Sequence, residues 1–140
     1  MRSLFHYVLT AAFLLAASPA AVNAQELTPE ERKADQEFYD SVNEKIDRMA
    51  EQLDLNDAQI FYLDSIYVHD YKAMQAELNA LQEKKVSNAD LFYDVQYKWM
   101  DQMYYSIQKI LDEDQWAKYL KSGAEREKKI RDKKRAKANR

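Results

Sequence analysis

Beyond residue 24 the chain holds few groups that could make or break a bond. His69 is the one histidine there, it stands beside Asp70, and cysteine is absent throughout. An imidazole next to a carboxylate can sense pH or contribute one metal contact. A nucleophile–base pair or a zinc site needs further residues at defined spacing, and none accompanies this pair. On a long helix such a histidine reads first as a surface residue. The densest acidic run, Asp112-Glu113-Asp114, lacks the alternation and the glycine of a calcium loop. Gly123 is the single glycine, so no phosphate-cradling loop is written either. The expectation is a protein with no catalytic residue, no metal and no cofactor.

What remains is the chemistry of hydrogen bonds and apolar contact, and one grammar for it occurs twice. Leu55-Asn56-Asp57-Ala58-Gln59-Ile60 and Leu111-Asp112-Glu113-Asp114-Gln115-Trp116 place a leucine, a short polar residue, a glutamine and a large apolar residue at the same offsets. The first N–H groups of a helix have no carbonyl partner inside it. Asn56 or Asp112 can accept one of them, and Gln59 or Gln115, three residues on, can reach back to the cap's own N–H. Leu55 against Ile60, and Leu111 against Trp116, would close the staple around each box. Leu27-Thr28-Pro29-Glu30-Glu31 reads as a third start, with Pro in the first turn and Glu as the reach-back residue. A fourth, Val86-Ser87-Asn88-Ala89-Asp90-Leu91, offers a cap and a staple with Asp as a shorter partner.

Four starts predict four helices, over 29–52, 57–85, 88–110 and 113–136. Apolar residues recur at steps of three and four in the first (Phe38, Val42, Ile46, Met49, Leu53) and in the second (Ile60, Leu63, Tyr67, Tyr71, Met74, Leu78, Leu81). No alternating strand pattern competes, and the fold class predicted is all-α. The third helix carries two adjacent stripes. Phe92, Val95, Trp99, Met103, Ile107 and Ile110 form one, and Tyr93, Tyr97, Met100 and Tyr104 form the other. Together they span roughly 200°, against about 100° for an ordinary one-sided helix. One neighbour cannot cover that arc, so a second subunit, a partner protein or another part of the chain must.

The ends of the chain differ from its middle. Arg2 and the apolar run Leu4–Ala17, followed by Ser18-Pro19 and the small-residue site Val22-Asn23-Ala24, have the layout of a cleavable secretory signal peptide over 1–24. Export would place residues 25–140 in a periplasm, without an ATP pool; without cysteine there is neither disulfide nor lipid anchor. Residues 25–120 hold ten Lys and Arg against twenty-one Asp and Glu, a net of −11, whereas residues 121–140 hold ten against three, a net of +7. The organisation predicted is a helical domain over 25–122 and a basic tail over 123–140, helical or frayed. In an exported protein that tail does not argue for nucleic acid. With Ile130 as its only large apolar residue it does not argue for membrane insertion. It could meet anionic lipid, the cell envelope or the acidic body of a second copy.

The signal segment, the helical body and the two boxes together resemble the Spy/CpxP-type family of periplasmic chaperones and stress modulators. That family is marked by Leu-Thr-x-x-Gln motifs, each opening a helix. Asn56 and Asp112 stand where the family has Thr, and both cap equally well. The resemblance implies long antiparallel helices in a thin hairpin-like layer, paired as a homodimer cradle that holds unfolded or partly folded proteins without ATP. The best-known members present clients with a basic face, whereas this body is acidic.

A holdase surface must be apolar, soluble and adaptable, and ten tyrosines with nearby methionines suit that role. The candidate client-binding residues are Tyr67, Tyr71, Met74, Tyr93, Tyr97, Met100 and Tyr104. Two other readings of the same residues are a specific regulator docking on the sensor domain of an envelope-stress kinase, and a purely structural helical protein whose aromatics lie inside.

Overall fold

The computed structural model describes residues 27–138, and the segment read as a signal peptide lies outside them. The fold is all-α, with no strand among the described residues. Helix α1 spans Pro29–Leu53, α2 Asp57–Glu83 and α3 Ala89–Ile110. The fourth helical region is α4, Glu113–Tyr119, a wide turn Leu120–Ala124, and α5, Glu125–Ala138.

Three of the four starts form reciprocal capping boxes. Thr28 N donates to Glu31 Oε2 (2.8 Å) and Glu31 N to Thr28 Oγ1 (3.2 Å). Asn56 with Gln59, and Asp112 with Gln115, do the same. The fourth start differs from expectation. Helix α3 begins at Ala89, capped by Asn88 Oδ1 on Asp90 N (2.9 Å), without a reach-back bond. Leu91 is exposed, so no staple closes there. A second correction falls in the last helix, which the sequence suggested as continuous. Gly123 sits at φ 120°, outside any helical region, and the rod breaks there into α4 and α5.

Short connections make neighbours antiparallel. Asp54, at φ 54°, turns the chain from α1 to α2; aspartate tolerates this left-handed backbone better than most residues. Helix α2 packs most extensively on α3 and secondarily on α1, α4 touches α1, and α5 lies along α3. The core is small and lies at the end where the two boxes meet. Val42, Ile46, Met49 and Leu53 of α1 join Leu63 and Tyr67 of α2 and Met103 and Ile107 of α3. Leu55, Ile60, Leu111 and Trp116, the staple residues, are half-buried against this cluster. No helix among the described residues is long and apolar enough to cross a membrane.

Candidate functional site

The two boxes do more than start helices. Gln59 Nε2 donates to Gln115 Oε1 (2.6 Å) and Gln115 Nε2 donates back to Gln59 Oε1 (3.1 Å), closing an amide–amide ring. Each amide also donates to the backbone ahead of the other box: Gln59 Nε2 to Ile110 O (2.8 Å), Gln115 Nε2 to Asp54 O (3.2 Å). Each oxygen also accepts its own cap's N–H, from Asn56 and Asp112, both at 3.1 Å. Both N–H bonds and both acceptor positions of each glutamine are therefore used. The arrangement is pseudo-twofold: residues 54 and 110, 56 and 112, 59 and 115 play matching parts. An amide pair this fully satisfied, with Gln115 buried and Gln59 half-buried, fixes the angle between two helix starts, because moving either one strands polar groups. Spacing along the chain predicts each box but not their meeting, which spans 56 residues; the repeated grammar was the available signal.

On this frame the aromatic candidates separate into three places. Tyr67, Tyr71, Met100 and Tyr104 come together around a cavity of about 70 Å³, with Met103, Ile107 and Tyr119. Tyr67 and Tyr71 stack at 5.7 Å, and Lys45 of α1 sits over both rings, its Nζ 3.2 Å from Tyr71 Oη. Tyr104 packs edge-on against Trp116 at 5.0 Å. Met74 belongs elsewhere, lining an apolar groove with Leu27, Phe38 and Tyr71. Tyr93 and Tyr97 stack at 6.0 Å and line a third groove with Lys134 and Arg135.

Tyr67 requires a correction. It is 2 % exposed and its hydroxyl donates to Met49 Sδ at 3.0 Å, so it is a core residue that no client reaches in this conformation. Its ring faces the side that α1 covers, which the helical period alone could not tell from an open side. Tyr71, Met74, Tyr97 and Tyr104 are half-buried, whereas Tyr93 is 50 % exposed and Met100 is exposed. Three exposed aromatics were missed. Phe61 (67 % exposed), Tyr62 and Tyr105 fall between the stripes at steps of three and four, and that off-stripe position was the signal for them.

Electrostatics shape the cavity. Burial, followed by the neighbouring Glu127 carboxylate, pushes the Tyr119 phenol up to about 12. Burial, then the phenols of Tyr119 and Tyr71, pushes Tyr67 up as well. Both phenols therefore stay neutral beyond the pH at which a free tyrosine ionises.

The basic tail also has a definite place. Arg131 Nε reaches Asp101 Oδ1 at 2.9 Å, Arg135 Nη1 reaches Asp101 Oδ2 at 2.5 Å, and Lys128 lies 3.9 Å from the same carboxylate. Asp101, on α3, is itself buried. The tail is helical as far as Ala138 and meets the acidic body of its own chain. Nothing in the sequence marked Asp101 among twenty-four acids.

His69 lies on the exposed side of α2, its Nδ1 2.7 Å from Asp70 Oδ1. Asp70 is buried, and neither its Oδ2 nor the nearby Trp99 Nε1 has a hydrogen-bond partner. No group of three or more metal-ligating side chains occurs among the described residues. Compared with protein-family models, with curated proteins and with solved structures, the chain matches none.

Proposed function

We propose that this protein is an ATP-independent periplasmic holdase of the Spy/CpxP type, acting as a homodimer and holding unfolded or partly folded proteins against aggregation. The observation that carries the reading is the set of large apolar side chains left open on rigid helices: Phe61, Tyr62, Tyr93, Met100 and Tyr105. A monomeric fold that only needed stability would gain by burying them, since covering one large aromatic is worth about 2–3 kcal/mol. Left open, several such contacts together approach the roughly 8 kcal/mol of a micromolar complex once association costs are met. Tyrosine and methionine add adaptability, one through its polar tip and the other through its flexible thioether.

The supporting features are the export-type first 24 residues, the two boxes and an acidic surface that keeps such a chain soluble. The test is suppression of aggregation of an unrelated unfolding protein at near-stoichiometric amounts without nucleotide. Absence of protection even at a large molar excess removes the holdase reading. Recovery of a single membrane protein from an envelope extract, in place of many unfolded clients, identifies a dedicated regulator instead.

A further inference from the structure

We propose that α5 is a charge-latched strap, hinged at Gly123 and held to α3 through Asp101, which covers the tyrosine and methionine floor of a binding trough. The inference rests on the holdase reading for what the trough binds, though the strap stands on its own geometry.

Three observations converge. The first is the hinge. Gly123 adopts φ 120° in a wide turn, a backbone that other residues rarely adopt, and the space where a side chain would stand is open. The second is the latch. Lys128, Arg131 and Arg135 recur at steps of three and four on one face of α5, and all three converge on the single carboxylate of Asp101. Ile130, the only large apolar residue of α5, faces away and is 48 % exposed. Apolar burial therefore does not hold this helix; charge does. Removing one partner of such a covered pair leaves the other charge buried and uncompensated, which is strongly destabilising.

The third observation is what lies beneath. Ala124, Glu127 and Arg131 close the cavity whose floor is Tyr67, Tyr71, Met100, Met103, Tyr104 and Tyr119. Further along, Lys134 stands over Tyr93 at 6.0 Å and Arg135 over Tyr97 at 5.8 Å. One polar helix thus runs along the second stripe of α3, where Tyr97 and Tyr104 are half-buried while Tyr93 and Met100 keep exposed surface. Swinging it away about Gly123 leaves the core of α1, α2 and α3 intact and uncovers a continuous aromatic strip. Segments held by few apolar contacts are those that open locally without global unfolding.

The test compares the full chain with Asp101→Asn, which keeps the side-chain volume and removes the charge. A second variant, Lys128→Gln with Arg135→Gln, attacks the latch from α5 and leaves Asp101 in place. Hydrogen exchange over 125–138 should quicken by about tenfold or more in both variants, while α1 and α2 keep their protection. An environment-sensitive apolar dye should then bind severalfold more. Unchanged exchange in both variants, or faster exchange with no gain in dye binding, overturns the strap. The aggregation assay separates the two proposals. If the open variants protect at lower ratios than the unaltered chain, the strap is autoinhibitory; if the unaltered chain protects and the open variants do no better, that role is refuted. If neither protects, the holdase reading fails while exchange and dye binding still decide the strap.

Discussion

Replacing Gln59 and Gln115 with alanine, singly and together, probes the contact on which the geometry of both helix starts depends. Each glutamine side chain makes four hydrogen bonds: one to its own cap, one to the backbone before the other box, and the two that the pair shares. Net contributions run about 0.5–1.5 kcal/mol per bond, and removing one partner also strands the groups left behind. Either single substitution should therefore cost about 2–4 kcal/mol. The double substitution should cost less than the sum, because the shared bonds can be lost only once and the second alanine removes an amide already stranded. The expected coupling is about 1–3 kcal/mol. Urea unfolding followed by far-ultraviolet circular dichroism measures all four corners, with an unchanged denaturant slope confirming that the variants fold alike. A cycle additive to within about 0.5 kcal/mol would mean that the two amides are independent caps, and the account of a joined pair would fall.

The caps themselves make a smaller claim: Asn56→Ala and Asp112→Ala should each lower stability by about 1 kcal/mol, read as a shift in urea midpoint, without altering client binding. Tyr67→Ala should cost about 3–5 kcal/mol as a core truncation, whereas Tyr93→Ser should change stability by less than about 1 kcal/mol and weaken client binding; the reverse order contradicts the placement of both rings. Stability should also fall in alkali. The folded chain holds the Tyr119 phenol protonated up to about 12, while in the unfolded chain it ionises near the ordinary tyrosine value of 10.0. The contribution is intact below pH 10 and is lost as pH rises toward 12, by roughly 2–3 kcal/mol, with Tyr67 acting in the same direction. A urea midpoint that does not move between those pH values argues against a covered Tyr119, and Tyr119→Phe should flatten the dependence.

Much of the fold is written locally. Capping is a contact over three residues, so Thr28 with Glu31, Asn56 with Gln59 and Asp112 with Gln115 could be recognised from spacing alone. The fourth start went astray by one residue because Ser87 and Asn88 are both competent caps. Asn88 is the one that acts, its Oδ1 accepting from Asp90 N, after a turn in which Lys85 takes a left-handed backbone at φ 53°. Gly123 was visible as the lone glycine, but a single glycine inside a helical pattern is tolerated often enough that its spacing did not announce a break.

The candidate site was legible only in its materials. Composition and helical period supplied the tyrosines and methionines and showed that α3 had more apolar surface than one neighbour could cover. Period cannot say which neighbour takes which face. Tyr67 became core because α1 lies over it, and Tyr104 became half-buried because α4 brings Trp116 and Tyr119 beside it. By itself the sequence determined the helical class, three of the four starts, the acidic body and the basic end, since each depends on residues within a few turns of one another. Tertiary structure alone decided that Gln59 meets Gln115 and that Asp101 gathers three cations from α5. Those contacts join positions 27 to 56 residues apart, and no local rule reaches so far.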